Sequence, residues 1–149
     1  MSLQDVTGFG VVINIIASNT FPAGFTVTQV ADDADPLDFA SVKIADTAMG
    51  VNGDLIVWAK AVPLPAVVNV IPGSADDINL QILADANRVA QGKASAGDVI
   101  TMTVIYPDTT VVTLTGGRIT DSMFGKSVAG AGRLKTKPYA FAFAAKIGT

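Results

Sequence analysis

DVITMTVIYPDTTVVTLTGG, residues 98–117, decides the fold. Ile100, Met102, Val104 and Tyr106 fall on alternate positions with Thr101 and Thr103 between them. That period of two belongs to a strand with one dry and one wet face. Pro107-Asp108 supplies a turn, and Val112 and Leu114 carry the apolar face into a second arm. The stretch predicts an antiparallel hairpin with a threonine-rich outer face, suited to solvent or to a hydrated channel.

The same period recurs in PYAFAFAA, residues 138–145. Tyr139, Phe141 and Phe143 point one way from a strand, and Ala140, Ala142 and Ala144 point the other. The aromatic face fits the space between a sheet and a helix. The bare face permits close approach, either within the subunit or by a neighbour. Upstream, GFGVVINIIA (8–17) and GFTVTQVA (24–31) are separated by the turn-like SNTFP and predict a first hairpin. Residues 31–53 predict a long loop, with Asp32, Asp33, Asp35 and Asp38 at its start and Pro36 breaking any helix. Its end carries Asn52-Gly53, a strong hairpin-turn signal. LIVWAKAV (55–62) and PAVVNVIP (65–72) follow as a strand pair joined across PLP. The first is apolar on both faces, so it needs covering by the core on one side and by a helix or another subunit on the other. Trp58 is the candidate for that second contact, with an ordinary core tryptophan as the alternative.

SADDINLQILADANRVAQG (74–92) is the one helical stretch. Ser74 is a good N-cap, Asp76 and Asp77 suit the positive helix end, and Gly92 supplies a stop. Ile78, Ile82, Leu83, Ala86, Val89 and Ala90 form its expected buried stripe, with Leu80 off it. RITDSMFGKSVAGAGRLKTK (118–137) begins as a strand and loosens into a basic, glycine-rich segment. Its GKS is no phosphate loop, because position 120, where that motif requires glycine, is Thr.

Composition limits the chemistry. The 149 residues suit one domain and contain neither Cys nor His, and all 13 acidic residues are Asp. Histidine triads, thiolate nucleophiles and glutamate-based zinc sites are thereby excluded, and the acidic loop lacks calcium-loop spacing. The expectation is a non-enzyme with no cofactor and no metal. No apolar run reaches the roughly 20 residues of a membrane-spanning helix, and the N-terminus lacks the basic start of an export signal. The net charge of −3 is unevenly spread: residues 1–55 carry seven Asp against one Lys, whereas from Arg118 onward six basic residues face one Asp. Such asymmetry is either charge scattered over a solvated surface, since sequence halves need not be spatial halves, or the mark of a subunit whose acidic part meets the basic part of another copy.

VVINIIA, TAMGVNGDLIVW, PGSADDINLQILADA and RLKTKPYAFAFAA, in that order, resemble the tail tube proteins of long-tailed bacteriophages. The resemblance implies a mainly β fold, a β-sandwich or incomplete barrel with one flanking helix. It also implies six-membered rings stacked into a tube in the virion tail, assembled in the host cytoplasm. Implied partners are sheath, baseplate and tail terminator, with tape measure protein and then DNA passing through the lumen unspecifically and without membrane insertion. A tail terminator, baseplate hub component or secretion-system tube protein is the alternative. Expected assembly residues are Asp32, Asp33, Asp35, Asp38, Met49, Asn52 and Trp58 on the acidic side, Lys126, Arg133, Lys135 and Lys137 on the basic side, and Ala140 and Ala142 on the terminal strand.

Overall fold

The computed structural model describes residues 10–30 and 35–148. Strands β1 (Val12–Ala17) and β2 (Phe21–Val27) form the first hairpin. The turn is shorter than SNTFP, since Phe21 and Pro22 already belong to β2. Strand β3 (Leu37–Asp38) pairs with β6 (Leu64–Val70), while β4 (Ala45–Met49) and β5 (Leu55–Ala59) pair only with each other. After helix α1 (Ala75–Asn87) come β7 (Ile100–Ile105), β8 (Val111–Ser122), β9 (Lys137–Phe143) and β10 (Ala145–Gly148).

The main sheet runs β2-β1-β7-β8-β9-β6-β3, with every pairing antiparallel and β10 on β8. Strand β8 belongs to two sheet halves: its start lies between β7 and β10, and its end lies beside β9. Past β2 the chain returns to the far side, where Val30 bridges Val70 and the Ile71 N–H donates to the Gln29 carbonyl. The sheet is thus curled into the incomplete barrel that the resemblance implies, flanked by one helix. Its interior holds Ile13, Ile15, Val68, Met102, Val104, Leu114, Tyr139, Phe141 and Phe143. Gly117 makes room there: a Cβ on it would lie 2.2 Å from Cδ1 of Phe143.

Two segments depart from the sequence expectation. Residues 31–53 are more than a loop, since they contain β3 and β4. Strands β5 and β6 do not pair with each other, because β6 takes β9 and β3 as neighbours and leaves β5 to its NG-turn partner β4. In that turn Gly53 has φ +88° and donates its N–H to the Gly50 carbonyl, a backbone state that favours glycine.

The helix starts as predicted, with the Ser74 hydroxyl accepting from the Asp77 N–H. It stops at Asn87 rather than Gly92, and of the expected stripe it buries only Leu83 fully. Asp76, Asp77, Leu80, Leu83 and Ala84 are inside, whereas Ile78, Ile82 and Val89 are exposed. The reason is polar. Asp76 accepts from the Thr28 and Gln29 N–H groups at the exit of β2, and Asp77 accepts from the Tyr139 hydroxyl of β9. These long-range bonds rotate the helix so that its carboxylates face the barrel, and Leu80 and Leu83 follow them in.

Candidate assembly surface

The β4–β5 hairpin stands out as an arm. In its register Thr47 opposes Val57 and Met49 opposes Leu55 on one face, while Asp46 opposes Trp58 and Ala48 opposes Ile56 on the other. Every residue of β5 is exposed: Leu55 at 62% and Val57 at 57% on the first face, Ile56 at 54% and Trp58 at 48% on the second. The sequence calls for cover on both faces of this strand, but the core covers neither. An isolated two-stranded ribbon is marginal in water, and a two-sided apolar one is an aggregation hazard unless something pairs with it. Its only ion pairs among the described residues are at the root, where Asp46 binds Lys43 at 2.6 Å and Lys60 at 2.9 Å. Lys43 and then Lys60 hold the Asp46 carboxyl below the usual range.

At the arm's root lies an apolar furrow of about 230 Å3. Phe39, Val42, Leu64, Tyr106, Val112 and Leu114 line it, with Lys146 also contributing. A second hollow shares Phe39 and Tyr106 with it, so Phe39 stands between the two. The β8–β9 connection forms another projection, on which Phe124 is almost fully exposed and Val128 bridges Leu134.

The structure sorts the expected assembly residues. Asp32 and Asp33 lie outside the described residues. Asp35 and Asp38 are exposed beside β6, Met49 and Asn52 are exposed at the arm's end, and Trp58 lies near its root, opposite Asp46. Lys126, Arg133 and Lys135 are exposed on the β8–β9 connection. Ala140 and Ala142 are half-buried on the outer face of β9, level with Val67 and Pro65 of β6 and with Asp121 and Arg118 of β8.

Lys137 is a correction: it is 3% exposed, and its ammonium lies 3.0 Å from Asp77 and 2.7 Å from Oε1 of Gln81. It belongs to the core because Asp77 requires a counter-ion there. Burial opposes ionisation of Asp77, but the Gly73 N–H, the Tyr139 hydroxyl and Lys137 together lower its pKa. Burial and then Asp77 raise the pKa of Tyr139, which stays a neutral donor.

Sequence reading also missed Asp98. This fully buried carboxylate accepts from the Asn19 and Thr20 N–H groups, the Thr20 hydroxyl and the Asn87 amide, tying the β1–β2 turn to the end of the helix. Burial again opposes ionisation and these donors again outweigh it, lowering the pKa. The three buried aspartates hold the helix against the barrel, and among the described residues no cluster of metal-ligating side chains forms.

The mainly β, antiparallel fold is similar to that of structural proteins from contractile injection systems. It is similar to a chain of the six-fold symmetrised anti-feeding prophage baseplate, at 11% identity and TM-score 0.59, covering 100% of this chain and 97% of that one. A chain of the anti-feeding prophage tube-terminating cap matches at 7% identity and TM-score 0.58, covering 100% and 94%. One from the sheath/tube terminator of an extracellular contractile injection system matches at 9% and 0.55, covering 100% and 99%. No curated protein matches in sequence. The chain belongs to the family described as tail fiber protein gp32, whose model matches residues 4–147. It is a structural protein related to phage tails.

Proposed function

We propose that the chain is a ring-forming subunit at an end of the tail tube, in the baseplate or the terminator, that joins its own copies through the β4–β5 arm. The observation that carries this reading is the arm, apolar and exposed on both faces. One covered face would suffice for a lid on the subunit's own barrel, whereas two call for surfaces from outside it. The baseplate, cap and terminator origins of the similar folds support an end position. The stacked tail tube is the second reading, favoured by a similar chain in a sheath-tube complex at TM-score 0.51 and 7% identity, covering 92% of this chain and 87% of that one.

In either position the copies form a hexameric ring within the virion tail, assembled in the host cytoplasm and bordered by tube, sheath or baseplate proteins. The outer face of the main sheet is the candidate lumen wall. Thr26, Asn14, Thr103 and Thr113 lie level across four strands and give it an uncharged, hydroxyl-bearing centre. Such a wall lets tape measure protein or DNA slide, because phosphates are held mainly by cations. Size measurement and negative-stain imaging of the purified protein test the proposal. Closed rings that do not stack support an end ring, unbounded tubes support the tail tube, and a monomer at every concentration overturns both.

A further inference from the structure

We infer that the furrow beside Phe39 is the seat for the arm tip of a second copy of this chain. The inference rests on the reading that copies assemble through the arm, and it adds where the arm lands. The furrow's floor includes Val112 and Leu114, which are core residues at 6% and 3% exposure, so whatever fills the furrow completes a core. An apolar cavity of about 150 Å3 takes a benzene ring; at about 230 Å3 this one has room for aliphatic side chains.

The arm tip offers them. Met49 and Leu55 pair at the last rung, and Val51 projects fully into solvent from the turn. Charge agrees with shape. Asp54 sits beside this apolar tip and Lys146 beside the furrow, and neither has an ion-pair partner among the described residues. Asp46, the arm's other carboxylate, is already satisfied by two lysines of its own chain.

The occupant has to be another copy. Val42 lines the furrow and lies three residues before the arm's first strand. Five paired rungs at about 3.4 Å per residue hold the tip roughly 17 Å from that root. A chain's own tip therefore cannot fold back into its own furrow while the ribbon stays paired. Tip into root joins unlike surfaces, so it repeats from copy to copy until a rotation closes the ring.

The chain has no cysteine, so a single introduced pair reports the contact. Val51→Cys at the tip and Ala40→Cys in the furrow lining, placed in one chain and oxidised mildly under assembling conditions, should give a covalent ladder on a denaturing gel that collapses with reductant. Each single variant should run as one chain, as should Val51→Cys combined with Ile82→Cys on the exposed helix face. Assembly without a ladder overturns the seat and leaves arm-mediated assembly standing. Dimers from Val51→Cys alone, or a ladder through Ile82→Cys, overturn it in favour of tip-to-tip or tip-to-helix contact. Failure of the unmodified protein to assemble at all overturns the underlying reading instead.

Discussion

Replacing Lys137 with Met should unfold the protein's margin of stability from inside the barrel. Methionine keeps most of the side-chain stem, so the change removes the charge with little loss of volume. Left behind is Asp77, 3% exposed, with the Gly73 N–H at 2.8 Å and the Tyr139 hydroxyl at 2.7 Å still donating to it. Breaking a buried pair from one side costs about 3–5 kcal/mol, and the two remaining donors place this case at about 3 kcal/mol. For a chain of 149 residues that corresponds to a fall in melting temperature of roughly 6–12 °C. Urea and thermal unfolding measure it, at protein concentrations below those that support assembly, because association would add stability of its own. Lys135→Met, two positions earlier and exposed, should stay within about 0.5 kcal/mol of the parent. A Lys137→Met protein within about 1 kcal/mol of the parent but unable to assemble would refute the reasoning, since the ammonium would then be serving a partner.

Acid should weaken the fold through Asp77 and Asp98. Both have folded pKa values below their unfolded ones, so their contribution is complete above about pH 4 and drains away as pH falls through the depressed folded values. Denaturant midpoints from neutral to acid pH track this loss, and Asp98→Asn should flatten part of it; a midpoint independent of pH would contradict the assignment. Gly117→Ala pushes a methyl into the Phe143 ring and within 3.1 Å of the Ile100 carbonyl. Overpacking of that kind costs about 1–3 kcal/mol by equilibrium unfolding, and a neutral result would mean that the two sheet halves part easily at β8. Ile56→Ser with Trp58→Ser should abolish assembly, seen as a shift to monomer by sedimentation, while stability below the assembly concentration changes by no more than about 0.5 kcal/mol. Intact assembly would remove the arm from the interface.

The legible parts of the sequence were those whose cause is local. Alternation in residues 100–106 and 139–143 marks β7 and β9 because a strand's faces repeat every two residues. Asn52-Gly53 locates the arm's turn, and Ser74 the helix start, for equally short-range reasons. What escaped has distant partners. The buried face of α1 is set by Thr28, Gln29 and Tyr139, so a stripe counted along the helix alone favoured Ile78 and Ile82. Lys137 reads as one more cation in a basic segment until Asp77 is brought to it across 60 positions of sequence. The furrow draws its walls from the segment before the arm and from β6, β8, β10 and the β7–β8 turn, and no window of sequence contains it.

The order of strands in the barrel differs from their order of synthesis. Strand β9 lies between β8 and β6 in the finished sheet, yet it is the last of the three to be made. Until it emerges, the end of β8 and one whole edge of β6 have no partner, and Phe141 and Phe143 are missing from the core. Closure is therefore a late event in the life of each nascent chain. The furrow is finished later still, since Lys146 of β10 contributes to it. Chain order thus leaves the joining of the two sheet halves to the last strands made.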